Sequence, residues 1–169
     1  MRRLAHRAVD AAERDLGVPL DYLRDIADTS LAAFVKFGLF TPLAQHRKHL
    51  PAAPYHLARI AATQHEDCGT CVQIEVTNAL RAGVPEDAVR AVVEGRDEAL
   101  GDLEDVVRYA RTVAAAADDP ERRATLRARY GEAAFVELAL GIAAARVFPT
   151  VKRGLGHATA CALVPISYE

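Results

Sequence analysis

The stretch Asp102–Asp118, DLEDVVRYARTVAAAAD, decides the fold class. Its apolar residues Leu103, Val106, Val107, Ala110, Val113, Ala114 and Ala117 recur at steps of three and four, the period of a helix with one face turned inward. Outward from it, the punctuation is also that of helices. Gly83 supplies a left-handed stop for the preceding helix, Pro85 opens the next one, and Glu86 and Asp87 suit its positive end. Nearer the N-terminus, Gly17-Val18-Pro19 closes a first amphipathic segment, and Asp21 and Ser30 are N-cap residues for two short helices, making three in all. His49–Pro54 reads as a helix-to-helix connection, followed by a helix over Tyr55–Glu66. Downstream, Pro120 starts a helix near Arg122–Tyr130. The next, Glu132–Phe148, is apolar almost all round with Glu137 and Arg146 as interior charges, the pattern of a buried helix. No window alternates in the manner of a strand between tight turns. The expectation is an all-α, single-domain helical bundle of about eight helices over 1–169, with N-terminal helices in 1–50 and the core in 51–169.

A chain of 169 residues can bury one core without staples, and 21 basic against 23 acidic residues leave a net charge of −2. That balance offers no basic footprint for nucleic acid and no acidic tail. The basic start Met1–Arg7 is followed by Asp10, Glu13, Arg14 and Asp15, where a secretion signal would need an apolar core. The apolar run Leu31–Phe40 contains Lys36 and Gly38 and stops at Thr41-Pro42, well short of the roughly 20 residues of a membrane span. The reading is a cytoplasmic protein with no membrane or nucleic-acid partner.

Three cysteines are too few and too odd in number for a disulfide scaffold, and paired thiols in a reducing compartment are more often catalytic or metal-binding. Two of them form Cys68-Gly69-Thr70-Cys71 at the first turn of a helix running to Arg81, a spacing that sets their Cα atoms near the separation of a disulfide. The break at Glu66-Asp67 should turn unpaired amides toward the sulfurs and raise the thiolate fraction. Cys68, Cys71, Glu75 and Ala79 share one stripe of that helix, which makes Glu75 the nearest candidate base. An ionised carboxylate also opposes a neighbouring thiolate, so a histidine is wanted beside it. His65 lies three residues before Cys68. His56 lies twelve before, roughly 18 Å along a straight helix, and reaches the sulfurs only if the chain bends back. Cys161 reads as core. A non-enzymatic alternative takes Cys68, Cys71 and the helically spaced His157 and Cys161 as a structural zinc site.

The segment from His65 through Cys68 and Cys71 to Glu75, continued by Asn78-Ala79-Leu80-Arg81-Ala82-Gly83-Val84-Pro85, resembles the core of the alkyl hydroperoxidase D and carboxymuconolactone decarboxylase superfamily. The stretch Phe148–Gly156 is similar to a C-terminal segment of its relatives, so the resemblance covers about two-thirds of the chain, from Pro51 onward. It implies an alkyl hydroperoxidase D-like fold and a thiol-dependent oxidoreductase, a peroxidase or disulfide reductase, with Cys71 attacking and Cys68 resolving. It also implies no bound cofactor or metal, a hydroperoxide or disulfide substrate, a thiol reductant, and assembly into a homo-oligomer (trimer, hexamer or dimer). The family's Glu twelve residues before the first cysteine is His56 here, and its His four residues after the second is Glu75. The exchanged pair would pass a proton from Cys71 to Glu75 and on to His56. The decarboxylase branch, which loses carbon dioxide without thiols, is the enzymatic alternative.

Overall fold

A computed structural model describes residues 1–168, which are helical with no strand among them. The elements are α1 (Arg2–Leu16), α2 (Asp21–Thr29), α3 (Leu31–Gly38), α4 (Thr41–Ala44), α5 (Ala52–His65), α6 (Gly69–Arg81), α7 (Glu86–Val93), a 3-10 segment (Asp97–Leu103), α8 (Glu104–Ala114), α9 (Pro120–Gly154) and a 3-10 turn (Cys161–Leu163). The all-helical reading of the sequence therefore holds.

The core is built around α5, which packs against α6, α8 and α9. Leu57, Ala58, Ile60, Ala61 and Ala62 of α5 are buried, and small residues on so many sides let three helices approach one axis closely. The stripe of α8 does what its period requires: Val106, Val107, Ala110 and Ala114 all join this core. A second, smaller cluster of Val9, Val18, Leu20 and Tyr22 seats the N-terminal helices against Ile74 of α6 and Val151 of α9. Glu137 of α9 fixes the connection into α5: its carboxylate, only 2 % exposed, accepts from the amides of Lys48, His49 and Leu50 and from the His49 ring.

Several boundaries differ from the expectation for local reasons. The Ser30 hydroxyl caps α3 by accepting from the Ala33 amide at 3.2 Å. Asp21, however, is the first helical residue of α2 and not its cap, and the preceding Leu20 amide is taken by Glu13. The extra turn α4 follows the three expected N-terminal helices, with Pro42 inside its first turn. The periodic segment around α8 begins as a 3-10 segment bent at Gly101 and stops at Ala114, because Ala116 turns to a positive φ of 58°.

In α9 the expected break between two helices is a kink at Gly131 (φ 82°, ψ 165°), a backbone conformation that glycine alone tolerates well. The helix does not end at Phe148 but continues through Pro149 to Gly154. A proline at 149 leaves the carbonyl of Ala145 without its helical donor. The hydroxyl of buried Thr63 on α5 points there instead, at 3.4 Å. By length and composition α9 is long and apolar enough to cross a membrane. Half of its apolar window is buried inside the fold.

Candidate active site at the start of α6

The Cys68–Cys71 pair sits where the chain turns from α5 into α6. Asp67 adopts a positive φ of 46°, a region that Asp accepts better than most residues, and so reverses the chain. Cys68 then takes an extended conformation as the N-cap of α6, and its carbonyl accepts from the amides of Cys71 and Val72, both at 2.9 Å. The Cα atoms of Cys68 and Cys71 are 5.2 Å apart with the sulfurs at bonding distance, as the spacing predicts. Cys68 is fully buried, and Cys71 retains 7 % exposure.

The first amide of α6 is not free to face the sulfurs. The Gly69 amide donates to the Thr159 carbonyl at 2.9 Å, because the segment after α9 folds back as a strap over this turn. Arg153 holds the near end of the strap by donating to the carbonyls of Glu66 and Asp67. The Cys161 amide donates to Asp67 Oδ1 at 2.8 Å, and Ser167 exchanges two hydrogen bonds with the Gln73 side chain. Contact is so close that a Cβ on Gly69 would lie 2.6 Å from the Val164 side chain.

Cys161 is thus not fully buried but half-buried in the strap, packed against the edge of the central core, with its thiol pushed up by burial and by Asp67. Nor is it helically spaced from His157, since α9 ends at Gly154 and Gly156 has a φ of 80°. The His157 ring pairs with Asp25 at 2.6 Å. Among the described residues no group of three or more His, Cys, Asp or Glu side chains could hold a metal ion, so the four proposed zinc ligands are not gathered.

Glu75 lies one turn beyond Cys71 on the stripe that the sequence predicts, and it is buried. Both of its oxygens are occupied: Arg59 of α5 donates from Nε at 2.8 Å and from Nη2 at 2.6 Å. Arg59 is also buried and donates through Nη1 to the Ala44 carbonyl, which accepts from the Tyr55 hydroxyl as well. Burial alone would lower the Arg59 pKa, and the charge and hydrogen bonds of Glu75 more than reverse that.

His56 reaches this buried cluster electrostatically, though the carboxylate faces the guanidinium and not the imidazole. Burial pulls its pKa down to about 4 against the opposing influence of Glu75, and its Nδ1 is buried without a hydrogen-bond partner. His65 is exposed in the last turn of α5, where that helix gives way to the turn carrying Cys68.

Two residues that sequence reasoning passed over complete the site. Arg59 could have been noticed as a lone cation inside the apolar run Leu57–Ala62. Lys152 carries no such signal. The continuation of α9 past Pro149 brings it in, 4 % exposed, to donate from Nζ to the Thr70 hydroxyl inside the cysteine motif. Burial lowers its pKa, partly offset by Asp21. Thr70 Oγ1 in turn lies 3.7 Å from Cys68 Sγ. Comparison of the whole chain with protein-family models, curated proteins and solved structures finds no match.

Proposed function

We propose that this protein is a thiol-dependent oxidoreductase of the alkyl hydroperoxidase D-like kind, in which Cys68 and Cys71 alternate between dithiol and disulfide. The observation that carries this reading is the pair itself, with sulfurs at bonding distance and Cα atoms 5.2 Å apart across the first turn of a helix. Opening and closing that bond asks for little backbone movement.

The residual exposure of Cys71, against none for Cys68, supports the order of attack. The Cys71 thiolate displaces an alkoxide from a hydroperoxide and becomes a sulfenic acid, the alkoxide taking a proton to leave as the alcohol. The Cys68 thiol then attacks the Cys71 sulfur, water departs, and the disulfide forms. With a disulfide substrate, Cys71 forms a mixed disulfide that Cys68 resolves by expelling the second thiol. An external thiol restores the dithiol.

The reading is tested by titrating free thiols on the reduced protein before and after one equivalent of hydroperoxide, or of a small disulfide, with Cys71→Ser as the control. Loss of two thiols per chain, reversed by dithiothreitol and absent in Cys71→Ser, is expected with at least one oxidant. Loss no faster than that of an ordinary free cysteine with both oxidants would overturn it.

A further inference from the structure

A helix start lends positive charge to a dithiol through its free amides. The strap carbonyl of Thr159 takes up the Gly69 amide, which removes one of the donors that would otherwise face a thiolate. A different cation has been brought in. Lys152 is 4 % exposed, forms no ion pair with a carboxylate among the described residues, and spends its ammonium on the Thr70 hydroxyl.

An ammonium group can only donate, so the Thr70 oxygen must accept from it, and the one hydroxyl hydrogen remains free for the neighbour at 3.7 Å, Cys68 Sγ. A buried cation without a counter-ion is costly. The disulfide is neutral and offers Lys152 nothing, whereas opening it creates a negative charge at the far end of this short chain of donors.

We propose that Lys152, acting through Thr70, is a positioning residue that receives the charge on Cys68 when the disulfide opens, making Cys68 the leaving and resolving thiolate and the disulfide the more readily reduced. This rests on the reading of the pair as a working dithiol. An external thiolate attacks the Cys71 sulfur, the Cys68–Cys71 bond breaks, and its electron pair moves onto Cys68 Sγ, where the Thr70 O–H points. A second external thiolate attacks the outer sulfur of the mixed disulfide and releases Cys71. Of the two protons brought by the thiols, one goes to Cys71 and one to solvent, while Cys68 keeps its charge.

The other groups around this chain leave that assignment intact. On α2, Asp21 acts on Lys152 from beyond ion-pair distance, and the Tyr22 ring centroid lies 5.9 Å from Nζ. Across the strap, Asp67 is engaged by the Cys161 amide, Arg153 by backbone carbonyls, and His157 by Asp25. On α6, Glu75 is matched by Arg59.

The test equilibrates the full-length protein and its variants with glutathione redox buffers and follows thiolate absorbance of the reduced forms against pH. Lys152→Met and Thr70→Val should each lower the equilibrium constant for reduction by about tenfold, about 30 mV for a two-electron couple, and move the thiolate titration to higher pH. Lys152→Arg and Thr70→Ser, which keep the charge and the hydroxyl, should recover most of both. Wild-type protein that cycles while Lys152→Met and Thr70→Val match it within about twofold would overturn the role of Lys152 and spare the dithiol. Wild-type protein that never loses two thiols reversibly would instead overturn the dithiol reading, and this inference with it.

Discussion

Arg59 and Glu75 meet inside the molecule as a two-pronged ion pair, Nε to Oε2 at 2.8 Å and Nη2 to Oε1 at 2.6 Å, each side chain 7 % exposed. The pair bolts α5 to α6 directly beneath Cys71. Removing one partner strands a buried charge, so Arg59→Met and Glu75→Gln are each expected to cost about 3–5 kcal/mol. The double variant, free of any stranded charge, should be more stable than Arg59→Met. Urea unfolding of the three variants and the parent measures this; costs that simply add would count against the pair as a coupled unit.

Acid should weaken the fold in two separable stages. His56 has a pKa of about 4 in the folded state against an ordinary 6.5, so the unfolded chain binds a proton that the native one refuses, and stability declines as pH falls from about 6.5 to 4. Burial alone would raise the Glu137 pKa, yet hydrogen bonds from Leu50, His49 and Lys48 hold it at about 2. Its contribution is complete above 4.5 and is lost as pH falls toward 2. Urea midpoints across this range should show the upper stage vanish in His56→Phe while the lower one survives, and Glu137→Gln should diminish the lower stage alone, the remainder belonging to Glu13, which its hydrogen bond with Arg24 also holds at about 2.

Gly69→Ala should loosen the strap. The added methyl would lie 2.6 Å from Val164 Cβ and 3.2 Å from the Cys161 Cα, too close for either to stay in place. Reduction of the disulfide by dithiothreitol should quicken, and Cys161 should react sooner with thiol reagents. Global stability should fall by only about 1–3 kcal/mol, because the strap lies at the surface while the main core does not move. Unchanged reduction and labelling rates would mean the strap does not limit access.

The buried cation makes one more demand. In the oxidised protein Lys152 has no ion-pair partner and only Asp21 beyond ion-pair distance, so Lys152→Met should leave oxidised stability equal or higher. After reduction the same substitution should become unfavourable relative to wild type. Thermal melts of both redox forms give the sign of each difference.

How much of this was legible in the sequence depended on range along the chain. The α8 period, the Ser30 cap, the Gly83 stop and the Cys68–Cys71 spacing are local features, and the structure keeps them. The Arg59–Glu75 pair joins two helices, and no local rule selects one carboxylate for that guanidinium. Lys152 was hidden twice over, by its distance from Cys71 and by Pro149, which would ordinarily announce the end of a helix. The carbonyl that this proline leaves without a helical donor is met by Thr63, on another helix.

The order in which a ribosome delivers these parts gives the strap a further meaning. Cys68 and Cys71 emerge long before Lys152, Thr159 and Cys161, and at about 5–20 residues per second the interval lasts several seconds. Through that interval the nascent chain carries its two thiols without their ammonium and without their cover, open to any oxidant or passing thiol. The segment from Lys152 to Cys161 therefore covers the pair only after this interval, and on the role proposed for Lys152 it changes the electrical surroundings of the sulfurs at the same moment.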